Sequence, residues 1–142
     1  MKLEYLDWCI NESMRLYPPV TGFTNRVATD EIDHDGVKIG AGLSLVFPTQ
    51  VAHNHPRNFE NPLCFIPERF KESLRHPLAY QPFGDGPRNC VGMRSALLAM
   101  KLAVCHIFRS YELRTDEQVE IVNKVLISQP REVVLRAEKL EA

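Results

Sequence analysis

The run Phe83-Gly84-Asp85-Gly86-Pro87-Arg88-Asn89-Cys90-Val91-Gly92 decides how the rest of this 142-residue chain is read. Three glycines and a proline specify an irregular loop, and a cysteine closes it directly before an apolar helical pattern. Unpaired amides and the positive end of a helix dipole stabilise negative charge there, so the thiol is favoured as thiolate, the form that ligates metal. The glycines permit positive φ and let the backbone approach something flat or bulky. A lone cysteine beside an apolar helix is ordinarily a small buried hydrophobe. Its ten-residue setting is what makes Cys90 a candidate ligand.

Working outward, residues 93–110 read as a second strong helix. Met93, Ala96, Leu97, Met100, Val104 and Ile107 form one stripe, and Leu98, Leu102, Ala103, Cys105 and Phe108 extend it around the cylinder. A helix apolar on most sides is expected to be buried. At the other end, Leu3, Leu6, Ile10 and Met14 recur at spacings of three and four, so residues 2–17 read as a helix with one apolar face. Pro18-Pro19 stops it, because the residue before a proline disfavours the helical region. Residues 27–50 form a β region, in which Asp35-Gly36 is a hairpin signal between 31–34 and 37–39, with a third strand over 43–47 ending at Pro48. Residues 53–82 are proline-rich with little periodicity and read as loop with short helical pieces. In the tail, 111–142, strand candidates are 119–127 and 133–135.

The composition narrows the function classes. A net charge of −1 gives no global field to recruit nucleic acid or an anionic membrane. Cys9, Cys64, Cys90 and Cys105 form no C-x-x-C pair, which removes zinc-ribbon and thioredoxin readings; their wide spacing fits reduced thiols better than a disulfide framework. No run approaches the roughly 20 apolar residues of a bilayer span. His53 and His55 lie close together, but their spacing suits no standard metal motif, and a loop histidine is more often a plain hydrogen-bonder.

The 83–92 run resembles the cysteine-ligand loop of the cytochrome P450 superfamily, the haem-thiolate monooxygenases: Phe83, Gly86, Arg88, Cys90 and Gly92 match every fixed position of Phe-x-x-Gly-x-Arg-x-Cys-x-Gly. Glu12-Ser13-Met14-Arg15 followed by Leu16-Tyr17-Pro18-Pro19 is similar to that family's Glu-x-x-Arg helix and proline exit, and Pro67-Glu68-Arg69-Phe70 to its Pro-Glu-Arg-Phe segment. The order of elements follows the C-terminal part of the family fold, a mainly α architecture with small β-sheets (α+β). Met93-Arg94 and Met100-Lys101-Leu102-Ala103 look most like the microsomal xenobiotic-metabolising branch.

The resemblance implies a set of roles. Cys90 is the axial ligand of iron in haem b. Arg88 and Arg26 bind propionates. Phe83 shields the sulfur, and Gly84, Gly86 and Gly92 shape the loop. Glu12, Arg15 and Arg69 form a structural network in which a carboxylate is satisfied by two guanidiniums. Val20, Thr21, Gly22 and Phe23 line a pocket for a small apolar substrate. Electrons come from NADPH through NADPH-cytochrome P450 reductase, with cytochrome b5 as a further donor, and Arg94 and Lys101 are candidates for docking an acidic reductase domain. The location implied is the cytoplasmic face of the endoplasmic reticulum membrane. Family chains are much longer, and the anchor and the central helix with its acid–alcohol pair have no counterpart here. The expectation is therefore a C-terminal portion holding the proximal half of the haem site. Three other readings stay open: a haem-thiolate isomerase of the thromboxane-synthase type, an inactive or non-enzymatic remnant, and a redox thiol protein.

Overall fold

The structure is a computed structural model and describes residues 3–20, 24–72, 76–117, 119–123 and 127–141. The first helix, α1, spans Glu4–Leu16. Its apolar spacing has the expected outcome: Ile10, Met14 and Leu16 are buried, with Leu3 and Leu6 half-buried on the same face. Glu4 and Asp7 lie in its first turn and Arg15 in its last, each favourable to the helix dipole. The Tyr17 amide donates to the Ser13 carbonyl, and the buried Pro18 ends the helix.

Four short strands follow. β1 (Thr24–Val27) pairs antiparallel with β4 (Ser44–Phe47), and β2 (Ile32–His34) pairs with β3 (Val37–Ile39). The β2–β3 turn uses Asp35 and Gly36 at φ 50° and 82°. Two consecutive positive φ values match the right-handed twist of the flanking strands, which is why Asp-Gly is favoured there. β1 was not among the expected strands. Four residues after a proline exit carry little alternation, and pairing with β4 is what makes them a strand.

The meander, 53–82, lies beyond a short helix, α2 (Thr49–His53), and contains 3₁₀ turns at Pro67–Phe70 and Pro77–Ala79. Proline opens both turns, where its missing N–H costs nothing. The main body of α1 packs against the Pro67–Phe70 turn and α2. The third helix, α3, spans Met93–Phe108. The tail is two antiparallel pairs, β5 (Tyr111–Arg114) with β8 (Arg136–Lys139) and β6 (Ile121–Asn123) with β7 (Ser128–Pro130). The strand expected at 133–135 is displaced: residues 132–135 are irregular, and the strand is β8, placed by its register against β5 rather than by its own apolar run.

A second correction concerns α3. It is apolar on most sides, yet none of its residues is buried. Its half-buried positions are Met93, Ala96, Leu97, Met100 and Val104, the expected stripe without the exposed Ile107, with Lys101 and Cys105 beside it, and Met100, Ala103 and Val104 face Leu6, Ile10 and Met14 of α1 across a gap of about 370 Å³. Leu98, Leu102 and Phe108 are 59%, 51% and 55% exposed. Periodicity reports what a helix needs covered; among the described residues α1, β5 and the cysteine loop leave its other face open. Among the described residues no helix is long and apolar enough to cross a membrane, and all four cysteines are free thiols.

The open face of α3 should bind a hydrophobic dye while the chain is folded. Leu98→Lys with Leu102→Glu is expected to lower dye fluorescence at least severalfold at unchanged far-ultraviolet circular dichroism. Unchanged dye binding would mean that these side chains are covered in solution.

Candidate functional site

The centre of the molecule is charged. Arg15, His53, Glu12 and Pro18 are its largest fully buried side chains. Glu12 and Arg15 lie one helical turn apart on α1, so their side chains meet. Arg15 Nε donates to Glu12 Oε2 at 2.8 Å and Nη2 to Oε1 at 2.9 Å, a bidentate pair. Oε1 also accepts from Arg69 Nε at 3.1 Å and from the Ile66 amide at 2.9 Å. The remaining Arg15 donors reach the carbonyls of His53, Pro62 and Cys64 at 2.9, 2.8 and 3.3 Å, and Asn54 Oδ1 at 3.3 Å. Arg15 and Arg69 both lie over the ring of the buried Phe59, 5.0 and 5.8 Å from its centroid. Burial alone would raise the Glu12 carboxyl, but the Arg15 hydrogen bond, the Ile66 amide and the two guanidinium partners hold it below the ordinary glutamate range.

His53 is the residue that sequence reasoning undervalued. It ends α2 and is fully buried. Its Nε2 accepts from the Gln81 amide at 2.9 Å, and its ring lies 5.1 Å from that of Tyr80. Because Nε2 accepts, the neutral ring carries its proton on Nδ1, which has no partner in hydrogen-bonding geometry. Burial lowers the His53 pKa to about 4, and the Arg15 charge works in the same direction against the Arg15 and Met14 carbonyls. The Tyr80 hydroxyl lies 3.0 Å from the Asn11 carbonyl, and burial raises its pKa. The importance of His53 comes from contacts 28 and 38 residues away in sequence.

The cysteine loop follows. Gly84 and Gly86 sit at φ 72° and 74°, where a β-carbon would be strained. The Cys90 amide donates to the Phe83 carbonyl at 2.8 Å, closing the loop, and the Met93 amide donates to the Cys90 carbonyl at 3.3 Å as α3 begins. Gly92 caps α3, and a β-carbon there would stand 3.9 Å from Cys90 Sγ. A cleft of about 480 Å³ opens between loop, α1 and α3. The Cys90 thiol is exposed into it; Met14, Pro19, Val20, Phe83, Ala96 and Met100 give it apolar walls, and Arg88 stands at its side. An accessible thiol at a helix start, flanked by apolar walls and one cation, is a donor set suited to a flat apolar group that carries a metal ion and anionic substituents.

The remaining expected residues separate. Val20 lines the cleft and bridges Ile127, with the Ser128 amide donating to the Pro19 carbonyl at 3.0 Å. Thr21, Gly22 and Phe23 lie outside the described residues. Arg26 is on β1 opposite Leu45, and its guanidinium folds back onto the Asn25 carbonyl at 2.9 Å; it is not among the residues lining the cleft. Lys101 pairs with Asp7, tying α3 to α1, whereas Arg94 is exposed.

The sequence matches the cytochrome P450 family profile over residues 1–141. The chain belongs to the cytochrome P450 family. Among its curated relatives, the lithocholate 6-beta-hydroxylase of Mesocricetus auratus is 42% identical over 84% of this chain and 24% of its own length. Cytochrome P450 3A16 of Mus musculus is 36% identical over 96% of this chain and 28% of its own length. Human cytochrome P450 3A7 is 36% identical over 97% of this chain and 29% of its own length. This P450 chain therefore spans about a quarter of the length of these relatives, and its helices with small antiparallel sheets are the C-terminal part of the family's α+β fold.

Two measurements probe the buried network. Glu12→Gln leaves Arg15 and Arg69 short of a counter-charge in the interior and should cost about 3–5 kcal/mol in urea unfolding; a loss under 1 kcal/mol would show that the cluster is hydrated. The His53 ring is protonated more readily unfolded than folded, so its contribution is complete above about pH 6.5 and disappears as pH falls towards about 4. Stability should fall by about 3 kcal/mol across that window, and Glu12, held low in the fold, adds a further loss at lower pH. A urea midpoint that stays flat from pH 6.5 to 4 would contradict a buried neutral His53.

Proposed function

We propose that this chain is the proximal, haem-binding portion of a microsomal cytochrome P450 monooxygenase, acting on a small apolar substrate. The observation that carries the reading is the Cys90 thiol exposed at the start of α3, on an apolar cleft beside Arg88. Cys90 would hold haem b through its sulfur. Arg88 would neutralise a propionate, with Arg26 a second cation once its guanidinium leaves the Asn25 carbonyl. Phe83, Ala96 and Met100 would keep water from the sulfur, which governs how strongly a thiolate donates. Gly84, Gly86 and Gly92 let the loop bend closely under a planar group. Bound there, haem supplies reductive activation of molecular oxygen, so that one oxygen atom enters the substrate.

The protein's share is placement. The Glu12–Arg15–Arg69 network holds the meander against α1, and α1 and the meander together fix the loop that carries Cys90. Val20, with Thr21, Gly22 and Phe23 next in sequence, would contribute apolar contacts to substrate. Electrons would come from NADPH through NADPH-cytochrome P450 reductase, with cytochrome b5 as a second donor, at the endoplasmic reticulum membrane. Arg94 is an exposed cation available to such an acidic partner, whereas Lys101 pairs with Asp7. The relatives' greater length supports a polypeptide in which the oxygen-activating side of the pocket comes from residues outside this segment.

Cys90→Ser in the haem-loaded protein should abolish the red-shifted carbon-monoxide band of the ferrous state, while haem remains weakly bound through the cleft walls. A variant that keeps that band would show that another residue ligates the iron.

A further inference from the structure

We propose that His53 is a positioning residue for the cysteine loop: by accepting the Gln81 amide at Nε2, it fixes where the loop leaves the meander and thereby where the Cys90 thiolate stands. This rests on the haem-thiolate reading of Cys90 and adds a residue which that motif does not contain.

The path is continuous and short. The Arg15 guanidinium donates to the His53 carbonyl at 2.9 Å, fixing the end of α2 against α1. His53 Nε2 accepts the Gln81 amide at 2.9 Å. The Gln81 carbonyl accepts from the Gly84 amide at 3.1 Å, and the Phe83 carbonyl accepts from the Cys90 amide at 2.8 Å. Gln81 also lines the Cys90 cleft. Pro82 has no N–H to donate, so the Gln81 amide is the donor left to anchor the chain just before the loop turns. A fully buried acceptor aimed at that amide is placed to choose one loop position over its neighbours. Without it the half-buried amide is left without a protein acceptor, and loop arrangements that free it for water gain on the ligating one.

The ring also fills space against Tyr80, so a packing role has to be separated from an accepting role. His53→Phe keeps the ring and the Tyr80 contact and deletes the acceptor. His53→Gln loses the ring and keeps an acceptor oxygen near the Nε2 position. In the haem-loaded ferrous protein under carbon monoxide, His53→Phe should shift the ratio of thiolate-type to displaced-ligand bands about tenfold towards the displaced form, and His53→Gln should restore most of it. Equal behaviour of the two variants, or a His53→Phe protein matching wild type, would overturn the proposal.

Hydrogen exchange at the Gln81 amide of the unmutated protein gives an answer that does not depend on either variant folding. A strongly protected Gln81 amide is expected. Exchange at the rate of an open amide would overturn the proposal whatever the spectra show. If wild type itself lacks the thiolate band, the haem reading fails and this role with it. A wild-type band with indistinguishable variants removes His53 alone.

Discussion

A carboxylate enclosed by two guanidiniums and a main-chain amide sits where a small domain would ordinarily place a leucine cluster. Glu12 is fully buried and so is Arg15, and between them they reach Ile66, Arg69, His53, Asn54, Pro62 and Cys64. Removing charges from water costs several kcal/mol per ion, so such a cluster persists only when nearly every donor and acceptor is satisfied. That requirement makes the cluster selective. The meander has little apolar pattern to guide it, yet its carbonyls at 53, 62 and 64 must point at one guanidinium. A polar centre therefore does for a loop what hydrophobic burial does for a helix: it rejects arrangements that leave a charge unpaired.

The cysteine loop depends on that clamp indirectly. The loop is held at one end by α3, whose first turn begins at Met93, and at the other by the meander through Gln81. Its own closure, Cys90 to Phe83, is a single main-chain hydrogen bond between glycine-rich arms. Such a loop is permissive by composition, because glycines at 84 and 86 enlarge its conformational choice. Its precision must come from the frame around it. The buried side chains of α1 form that frame, with α2 as the intermediary, and Val20 joins the same cleft through its bridge to Ile127 in the tail.

Charge and apolar surface divide the remaining work. The α1–α3 contact is loose, with a gap of about 370 Å³ and an ion pair between Lys101 and Asp7 at its edge. The far side of α3 presents Leu98, Leu102 and Phe108 to solvent. A helix so apolar is built to be enclosed, and among the described residues α1, β5 and the cysteine loop leave that side open. The tail strands are paired in twos, with β8 exposed throughout, so they add register and connectivity more than core.

The local elements were legible in the sequence wherever a pattern is written in consecutive residues. The spacing of Leu3, Leu6, Ile10 and Met14 determined α1, Asp35-Gly36 determined the β2–β3 turn, and the residues from Phe83 to Gly92 determined a cysteine loop running into a helix. The family motifs named Glu12, Arg15 and Arg69 before any distance was known. Other features were settled by pairing between distant segments. β1 and β8 are strands because of β4 and β5, and 133–135 is irregular despite its apolar run. Arg26 rests on its own strand, and α3 is half-covered although its composition asks for full burial. His53 became central only when folding brought Arg15 to its carbonyl and Gln81 to its ring. The division has one physical cause. Propensity, periodicity and turn chemistry act over a few residues and can be read along the chain, whereas burial and hydrogen-bond partnership depend on which surfaces the chain brings together.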